Sequence, residues 1–150
     1  MLDEATEVRV IQASPTRCYE LVADVAGYPG WTTDLKDAVV TATDDEGRPV
    51  EVEFRAAAMG RSATYTLAYD HSNAPRRLEW RQVGGDITKR LDGWYEFAEV
   101  PGEPDQCEVT YHLEVELLVP LPGFVKRRAE AKLLHTALED LKQRVESSGA

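Results

Sequence analysis

The chain has 150 residues, 43% of them hydrophobic and 29% charged, and a formal net charge of −10. A chain of this length can bury a substantial core as one domain, and its excess of acids repels nucleic acid phosphates and anionic lipid headgroups. We therefore expect a single domain over residues 1–150, with no nucleic acid partner and no stable membrane association.

The start of the chain does not look like a secretory signal, because MLDEATEV carries acids where such a signal has basic residues and then an apolar run. No segment approaches the roughly 20 apolar residues of a membrane span. The two cysteines, Cys18 and Cys107, form neither a CxxC pair nor a disulfide framework, so we expect both to be small buried apolar residues. These features predict a cytoplasmic protein.

The first elements are a strand, a helix and an aromatic turn. The strand is predicted over residues 7–13, although its apolar residues alternate poorly. Ser14-Pro15 is typical of a helix start, with a capping hydroxyl and a proline at the first helical position. We expect this helix to end at Gly27, before a compact element with two large aromatics over residues 28–31.

Alternation of apolar and polar residues then predicts six further strands. They are expected around residues 37–43, 49–58, 62–70, 76–83, 87–97 and 107–119. Hairpin turns are expected at Met59-Gly60 and at Gly84 to Asp86, and a polar loop over residues 101–106. Short strands joined by hairpins indicate a mainly antiparallel sheet.

The segment from Gly123 to Ser147 is predicted to form one long helix. Its apolar stripe consists of Leu134, Ala137, Leu138, Leu141 and Val145. Such a helix is about 37 Å long, longer than a typical strand, so a flat sheet would leave much of it uncovered. We therefore expect a twisted sheet that curls around the helix.

Two charged residues, Arg127 and Glu130, extend this stripe towards the start of the helix. They are three residues apart and able to pair, and a dry core would disfavour both. Two interpretations stay open. Either the first turns of the helix protrude into water, or the two residues form the polar mouth of an apolar pocket.

The sequence predicts neither a catalytic residue nor a metal site. His112 falls on the polar face of its strand, His135 on the outer side of the helix and His71 in a turn, so the histidines do not converge. Paired acids such as Glu51 and Glu53 lie on a solvated strand face, where a raised pKa is not expected. The chain has no glycine-rich phosphate loop and no GxSxG motif, and we expect no cofactor.

Three segments together resemble the START-like (SRPBCC) superfamily, and specifically its bacterial polyketide cyclase/dehydrase family. They are SPTRCYELVADVAGYPGW after the first strand, GDITKRLDGWYEF in the sheet and VPLPGFVKRRAEAKLLHTALEDLKQRVE at the end. The resemblance spans nearly the whole chain and depends on the order and spacing of the segments. It implies an α+β helix-grip fold, in which a curved antiparallel sheet of about seven strands wraps around the long C-terminal helix. Short helices would follow the first strand, and an internal cavity would lie between the sheet and the long helix.

If this cavity exists, its wall should come from the covered faces of the strands and the helix. The expected ligand-binding residues are Tyr28, Trp31, Phe54, Tyr65, Leu67, Tyr69, Leu78, Trp80, Tyr95, Phe97, Tyr111, Arg127, Glu130, Leu134 and Leu138. Tyrosines combine an apolar ring with one hydroxyl, which suits an oxygenated, ring-bearing or isoprenoid ligand. The alternative is that the rings fill the interior themselves.

The resemblance leaves the function open, because members of this superfamily bind diverse molecules. Our leading hypothesis is a non-catalytic protein that binds or carries a hydrophobic small molecule, whether a lipid, an isoprenoid or a polyketide-like compound. The alternative is a polyketide cyclase or aromatase that uses the same cavity as its active site, with Arg127, Glu130 or a tyrosine assisting proton transfer. A third hypothesis, an interaction module acting in quinone metabolism or on ribosomes, is disfavoured by the acidic charge. The sequence makes no prediction of the oligomeric state.

Overall fold

A computed structural model describes residues 3–32, 35–58, 61–118 and 122–147. In these ranges the elements in chain order are β1 (Asp3–Ile11), α1 (Pro15–Ala23), a 3₁₀ helix (Val25–Gly30), β2 (Leu35–Thr43), β3 (Pro49–Ala58), β4 (Arg61–Asp70), β5 (Arg77–Gly85), β6 (Thr88–Val100), β7 (Glu103–Leu117) and α2 (Gly123–Ser147).

All seven strands form one antiparallel sheet in the order β1-β7-β6-β5-β4-β3-β2. β1 and β2 therefore lie at opposite edges, and the segment with α1 and the 3₁₀ helix connects one edge to the other. The sheet is curved and open, and α2 accompanies it together with the short helices. The predicted α+β architecture is confirmed, with the long helix beginning and ending at the predicted residues.

The predicted start of α1 is also confirmed. The Ser14 hydroxyl accepts a hydrogen bond from the Arg17 backbone N–H at 3.2 Å, and a proline occupies the first helical position. The predicted end at Gly27 is wrong, because α1 ends at Ala23 and Gly27 lies inside the 3₁₀ helix. Val25 is fully buried, so the chain turns towards the core before it reaches Gly27.

The first strand differs from its predicted bounds of 7–13. It begins at Asp3, opposite Val115, and ends at Ile11, opposite Cys107. Its poor alternation has a physical reason, since β1 is an edge strand whose Val8 is 51% exposed while Ile11 is fully buried.

Two of the predicted turns are shorter than expected. β5 continues through Gly85, and β7 already begins at Glu103, inside the segment predicted as a polar loop. Polar side chains do not prevent a strand here, because residues at this end of β7 are mostly exposed. The turn predicted at Met59-Gly60 lies outside the described residues.

Helix α2 packs against β1, β7 and α1. The Arg9 guanidinium on β1 donates a hydrogen bond to the Glu139 carboxylate at 2.5 Å, and the Gln12 backbone N–H donates one to the Glu146 carboxylate at 3.0 Å. These contacts fix the C-terminal half of the helix beside the β1 edge. Among the described residues, no helix is long and apolar enough to cross a membrane.

We call the solid part of the interior beside α1 the packed half. It is a set of side chains with at most 4% exposure, namely Ile11, Cys18, Val22, Val25, Leu78, Phe97, Cys107, Val109, Leu134, Leu138, Leu141 and Val145. The Tyr19 ring on α1 meets the Phe97 ring edge to face, with 6.0 Å between centroids. Both cysteines are free and fully buried here, as predicted.

Candidate functional site

A cavity of about 280 Å³ lies between α2 and the sheet. The 3₁₀ helix and the segment after it, strands β2 to β7 and α2 all contribute to its wall, whereas no described residue of α1 does. Most of the wall is aliphatic or aromatic, with a few hydroxyl and carboxyl groups. The interior is therefore solid beside α1 and hollow elsewhere.

One wall of the cavity is a row of aromatic rings, which we call the aromatic belt: Phe54, Tyr69, Trp80, Tyr95 and Tyr111. Each ring comes from the next strand across the sheet, from β3 to β7. The centroid distances along the row are 6.5, 6.0, 5.5 and 4.4 Å. The strand register produces this row, because Tyr69 pairs directly with Trp80 and Tyr95 with Tyr111. Cross-strand aromatic pairs stabilise a sheet and hold each ring in place.

The 3₁₀ helix adds two further rings at the edge of the belt. Tyr28 stacks on Phe54 with 6.2 Å between centroids, and Trp31 meets Tyr28 edge to face at 5.3 Å. The Tyr28 hydroxyl donates a hydrogen bond to the Val22 carbonyl in α1. The compact YPGW element thus positions two aromatic side chains in the cavity wall and ties them to α1.

A glycine on β6 makes room for the belt. A Cβ atom at Gly93 would lie 2.8 Å from the Trp80 ring and 2.4 Å from the backbone carbonyl oxygen of His112. Real Cβ atoms essentially never come this close to other atoms. Gly93 therefore allows the Trp80 ring to lie against the backbone of β6.

The wall contains tyrosines that stay neutral. Burial raises the pKa values of Tyr28, Tyr69, Tyr95 and Tyr111 well above 10, and the neighbouring ionisable groups raise them further. At neutral pH these hydroxyls are protonated and can donate as well as accept hydrogen bonds.

These shifts predict a loss of stability at high pH. Because the folded-state pKa values lie above the unfolded value of about 10, the contribution to stability is complete below pH 10 and is lost as the pH rises through the folded-state values. In an alkaline titration, most of the tyrosinate absorbance at 295 nm should therefore appear together with the loss of circular dichroism. Ionisation of most tyrosines near pH 10 in a chain that is still folded would contradict this expectation.

The helix wall differs from the predicted one. Glu130 is only 6% exposed and lines the cavity, followed at helical spacing by Leu133, Ala137 and Asp140. Arg127 is exposed and does not line it. Of the predicted polar mouth, only Glu130 is part of the wall.

Most of the predicted ligand-binding residues line the cavity. These are Tyr28, Trp31, Phe54, Tyr65, Leu67, Tyr69, Trp80, Tyr95, Tyr111 and Glu130. Leu78, Phe97, Leu134 and Leu138 do not, because they belong to the packed half. Whether the wall residues bind a ligand stays a prediction.

Sequence reasoning missed the polar and small residues of the wall, including Thr136 and Asp140 on α2 and Thr88 on β6. Apart from Ala137, the most apolar stripe of α2 packs on the core. The face that lines the cavity lies beside this stripe and has mixed polarity. Counting helical turns from Glu130, which extends the predicted stripe, would have found Leu133 and Asp140.

His71 opens the predicted turn, because its carbonyl accepts a hydrogen bond from the Ala74 N–H at 3.1 Å, but its side chain is buried. It follows β4 directly and is 5% exposed. Its Nε2 lies 2.5 Å from the Pro49 carbonyl oxygen and its Nδ1 lies 3.4 Å from the Tyr19 hydroxyl. Both ring nitrogens thus have structural contacts away from the cavity wall.

One group of potential metal ligands, Glu4, His112 and Glu114, lies on the polar face of β1 and β7. One ligand atom from each comes within 4.8 Å of the others. The Thr6 hydroxyl lies 2.7 Å from the His112 Nδ1, and the Arg90 guanidinium lies 3.7 Å from Glu114. None of the three residues lines the cavity.

Comparison with known proteins agrees with this architecture. Residues 3–146 match the family described as polyketide cyclase / dehydrase and lipid transport. A START superfamily protein from Mycobacterium smegmatis has a TM-score of 0.89 at 22% identity, with 96% of this chain and 97% of that chain covered. An aromatase/cyclase from Streptomyces sp. R1128 has a TM-score of 0.77 at 15% identity, with 100% and 99% covered. A protein from Thermus thermophilus has a TM-score of 0.77 at 23% identity, with 99% and 100% covered.

No curated protein matches the sequence. At these identities the solved structures establish the fold and leave the activity open. The family match, in contrast, covers nearly the whole chain and confirms the resemblance predicted from its three segments. The chain belongs to the polyketide cyclase/dehydrase and lipid transport family.

Proposed function

We propose that the protein binds a hydrophobic small molecule in the cavity between α2 and the sheet. The observation that carries this proposal is the hollow itself, about 280 Å³ of space inside a wall of mainly apolar and aromatic side chains. Burial of apolar ligand surface would supply the affinity, and the few polar groups would orient the ligand. The alternative of a core filled by its own rings fits this space poorly. The absence of nucleic acid partners, which the acidic charge supports, and a cytoplasmic location are parts of the same proposal.

The test uses the uncharged fluorescent probe N-phenyl-1-naphthylamine. Saturable binding of one probe per chain, with a blue-shifted emission, is expected for the native protein. Ala137→Trp would fill part of the cavity, since Ala137 lies in its wall, and should weaken binding by at least about tenfold.

The matched control is Ala131→Trp, the same substitution at an exposed position of α2. It should leave probe binding unchanged, and circular dichroism would verify that both variants are folded. Absence of binding in the native protein, or equal binding in both variants, would contradict the proposed function.

A second candidate function is that of a polyketide cyclase, with the cavity as active site. Glu130 favours it, because a carboxyl group with only 6% exposure lies in the same wall as tyrosine hydroxyls. Such groups can transfer protons when a β-ketone chain condenses with itself and loses water, while the wall holds the chain folded. The family match and the likeness to the Streptomyces aromatase/cyclase are compatible with this function.

Glu130→Gln separates the two candidates. With a synthetic poly-β-ketone thioester as substrate, a cyclase would lose turnover in this variant while its melting temperature changed little. Unaltered turnover would remove Glu130 from the mechanism, and absence of any cyclised product with the native protein would favour the binding function.

A further inference from the structure

Building on the proposed binding function, we propose that the cavity selects small ring compounds that carry no negative charge and present a hydrogen-bond donor to α2. The expected ligand class is an uncharged or cationic phenol, alcohol or amine of about two rings. Fatty acids, phosphate esters and other anionic amphiphiles are excluded.

The charge of the helix wall is the first argument. Glu130 and Asp140 both line the cavity from α2, ten residues and therefore about 15 Å apart along the helix axis. Among the described residues of the wall there is no lysine, arginine or histidine. Arg127, which could have supplied a positive charge, is exposed and does not contribute to the wall.

An anion inside such a cavity would be unfavourable for two reasons. It would lose its hydration, which is costly unless a cation or several hydrogen-bond donors replace the water. It would also face carboxyl groups at short range, where the low dielectric of the interior strengthens repulsion. A cation or a neutral donor would instead meet the carboxylate oxygens of α2, each of which can accept more than one hydrogen bond.

The negative charge of Asp140 on α2 also influences the sheet side of the cavity wall. Tyr95 belongs to the aromatic belt on β6, and the negative charge of Asp140 is one cause of its raised pKa, after burial and the influence of Tyr28. The same charge would therefore act on a ligand lying between α2 and the belt.

The volume limits the size of the ligand. A cavity of about 150 Å³ lined by apolar side chains accommodates one benzene molecule, so about 280 Å³ is enough for roughly two rings with a short substituent. A lipid with two long acyl chains would not fit. The aromatic belt favours planar rings, which can stack on Trp80 and Tyr95.

The test compares two probes that differ by one charged group. N-phenyl-1-naphthylamine is uncharged and has an N–H donor, whereas 1-anilinonaphthalene-8-sulfonate is nearly the same molecule with a sulfonate. We expect the native protein to bind the uncharged probe at least about tenfold more tightly. Sulfonate emission that persists in Ala137→Trp arises outside the cavity and is subtracted.

Removal of the two acids should then reduce this preference. In the double variant Glu130→Gln with Asp140→Asn, the affinities should come within about threefold of each other, mainly because the sulfonate binds better. Asp140→Asn alone should produce part of this change, which keeps the test valid if the double variant does not fold. Glu53→Gln is the control, because this exposed residue outside the wall carries the same charge and reports the effect of net charge alone.

The outcomes distinguish the two proposals. Equal affinity of the native protein for both probes, or a preference that Asp140→Asn and the double variant leave unchanged, would overturn the charge selection and leave the binding function intact. Failure of both probes to bind would overturn both proposals.

Discussion

Leu138→Ala is expected to lower the free energy of unfolding by about 2–5 kcal/mol, measured by urea denaturation. Leu138 is fully buried in the packed half, so its truncation would leave a new cavity in a region that is solid. The large effect follows from lost apolar burial together with lost packing contacts around the cavity.

Leu133→Ala is the matched control, about one turn and a half away on the same helix. Leu133 is 42% exposed and lies in the wall of the existing cavity, so its truncation removes less buried surface and should cost less than about 1 kcal/mol. The effects on probe binding should be the reverse. Leu133→Ala should weaken binding, whereas Leu138→Ala should leave it nearly unchanged in the folded protein. Equal losses of stability in both variants would contradict the division of the interior into a packed and a hollow half.

This contrast shows why the sequence predicted the helix correctly but did not distinguish the face that packs on the core from the face that lines the cavity. Leu134, Ala137, Leu138, Leu141 and Val145 form the most apolar stripe of α2, and periodicity alone assigns the most apolar stripe to the interior. Burial of four of these five residues follows this rule. A ligand cavity, however, is also interior, and its wall tolerates polar groups that a solid core excludes. From its polarity, the face with Glu130, Thr136 and Asp140 is therefore expected to be partly solvated, although it lines the cavity.

The strand faces were predictable for a related reason. Alternation placed Phe54, Tyr69, Trp80, Tyr95 and Tyr111 on the covered side of the sheet, and this side does line the cavity. Alternation says nothing about position along a strand, because every second residue has the same orientation. Leu78 and Phe97 share the orientation of the belt but lie nearer α1, where the interior is solid.

The size of the hollow could not be derived from the sequence either. It depends on how far the sheet bends away from α2 and on where the 3₁₀ helix places Tyr28, and both are tertiary features. From the residues alone, a pocket is one of two open interpretations of Arg127 and Glu130, and the family resemblance supplies the expectation of a cavity between the sheet and the helix. The sequence constrains the identity of the ligand even less. The charge of the cavity wall and the volume of the cavity are therefore the most informative quantities about the ligand.

Gly93→Ala is expected to destabilise the protein by about 1–3 kcal/mol or more, measured by urea denaturation, and to weaken binding of N-phenyl-1-naphthylamine. The added methyl group would lie 2.4 Å from the His112 carbonyl oxygen and 2.8 Å from the Trp80 ring. The ring can rotate away, but the carbonyl belongs to the neighbouring strand β7, so β6 itself would have to shift. Displacement of Trp80 would disturb the centre of the aromatic belt, and binding should therefore weaken together with stability.

The control for this substitution is Gly84→Ala on the neighbouring strand β5. A Cβ atom at Gly84 would meet no atom within 4 Å, so the change should alter the free energy of unfolding by no more than about 1 kcal/mol, and in the stabilising direction if the unfolded chain loses conformational freedom. Equal behaviour of the two variants would mean that the close contact of Trp80 with β6 is not required. A folded Gly93→Ala protein that binds the probe normally would place the ligand away from the belt. The two substitutions thus test whether the backbone of β6 determines the shape of the cavity. Neither the composition nor the periodicity of the sequence predicts such a constraint.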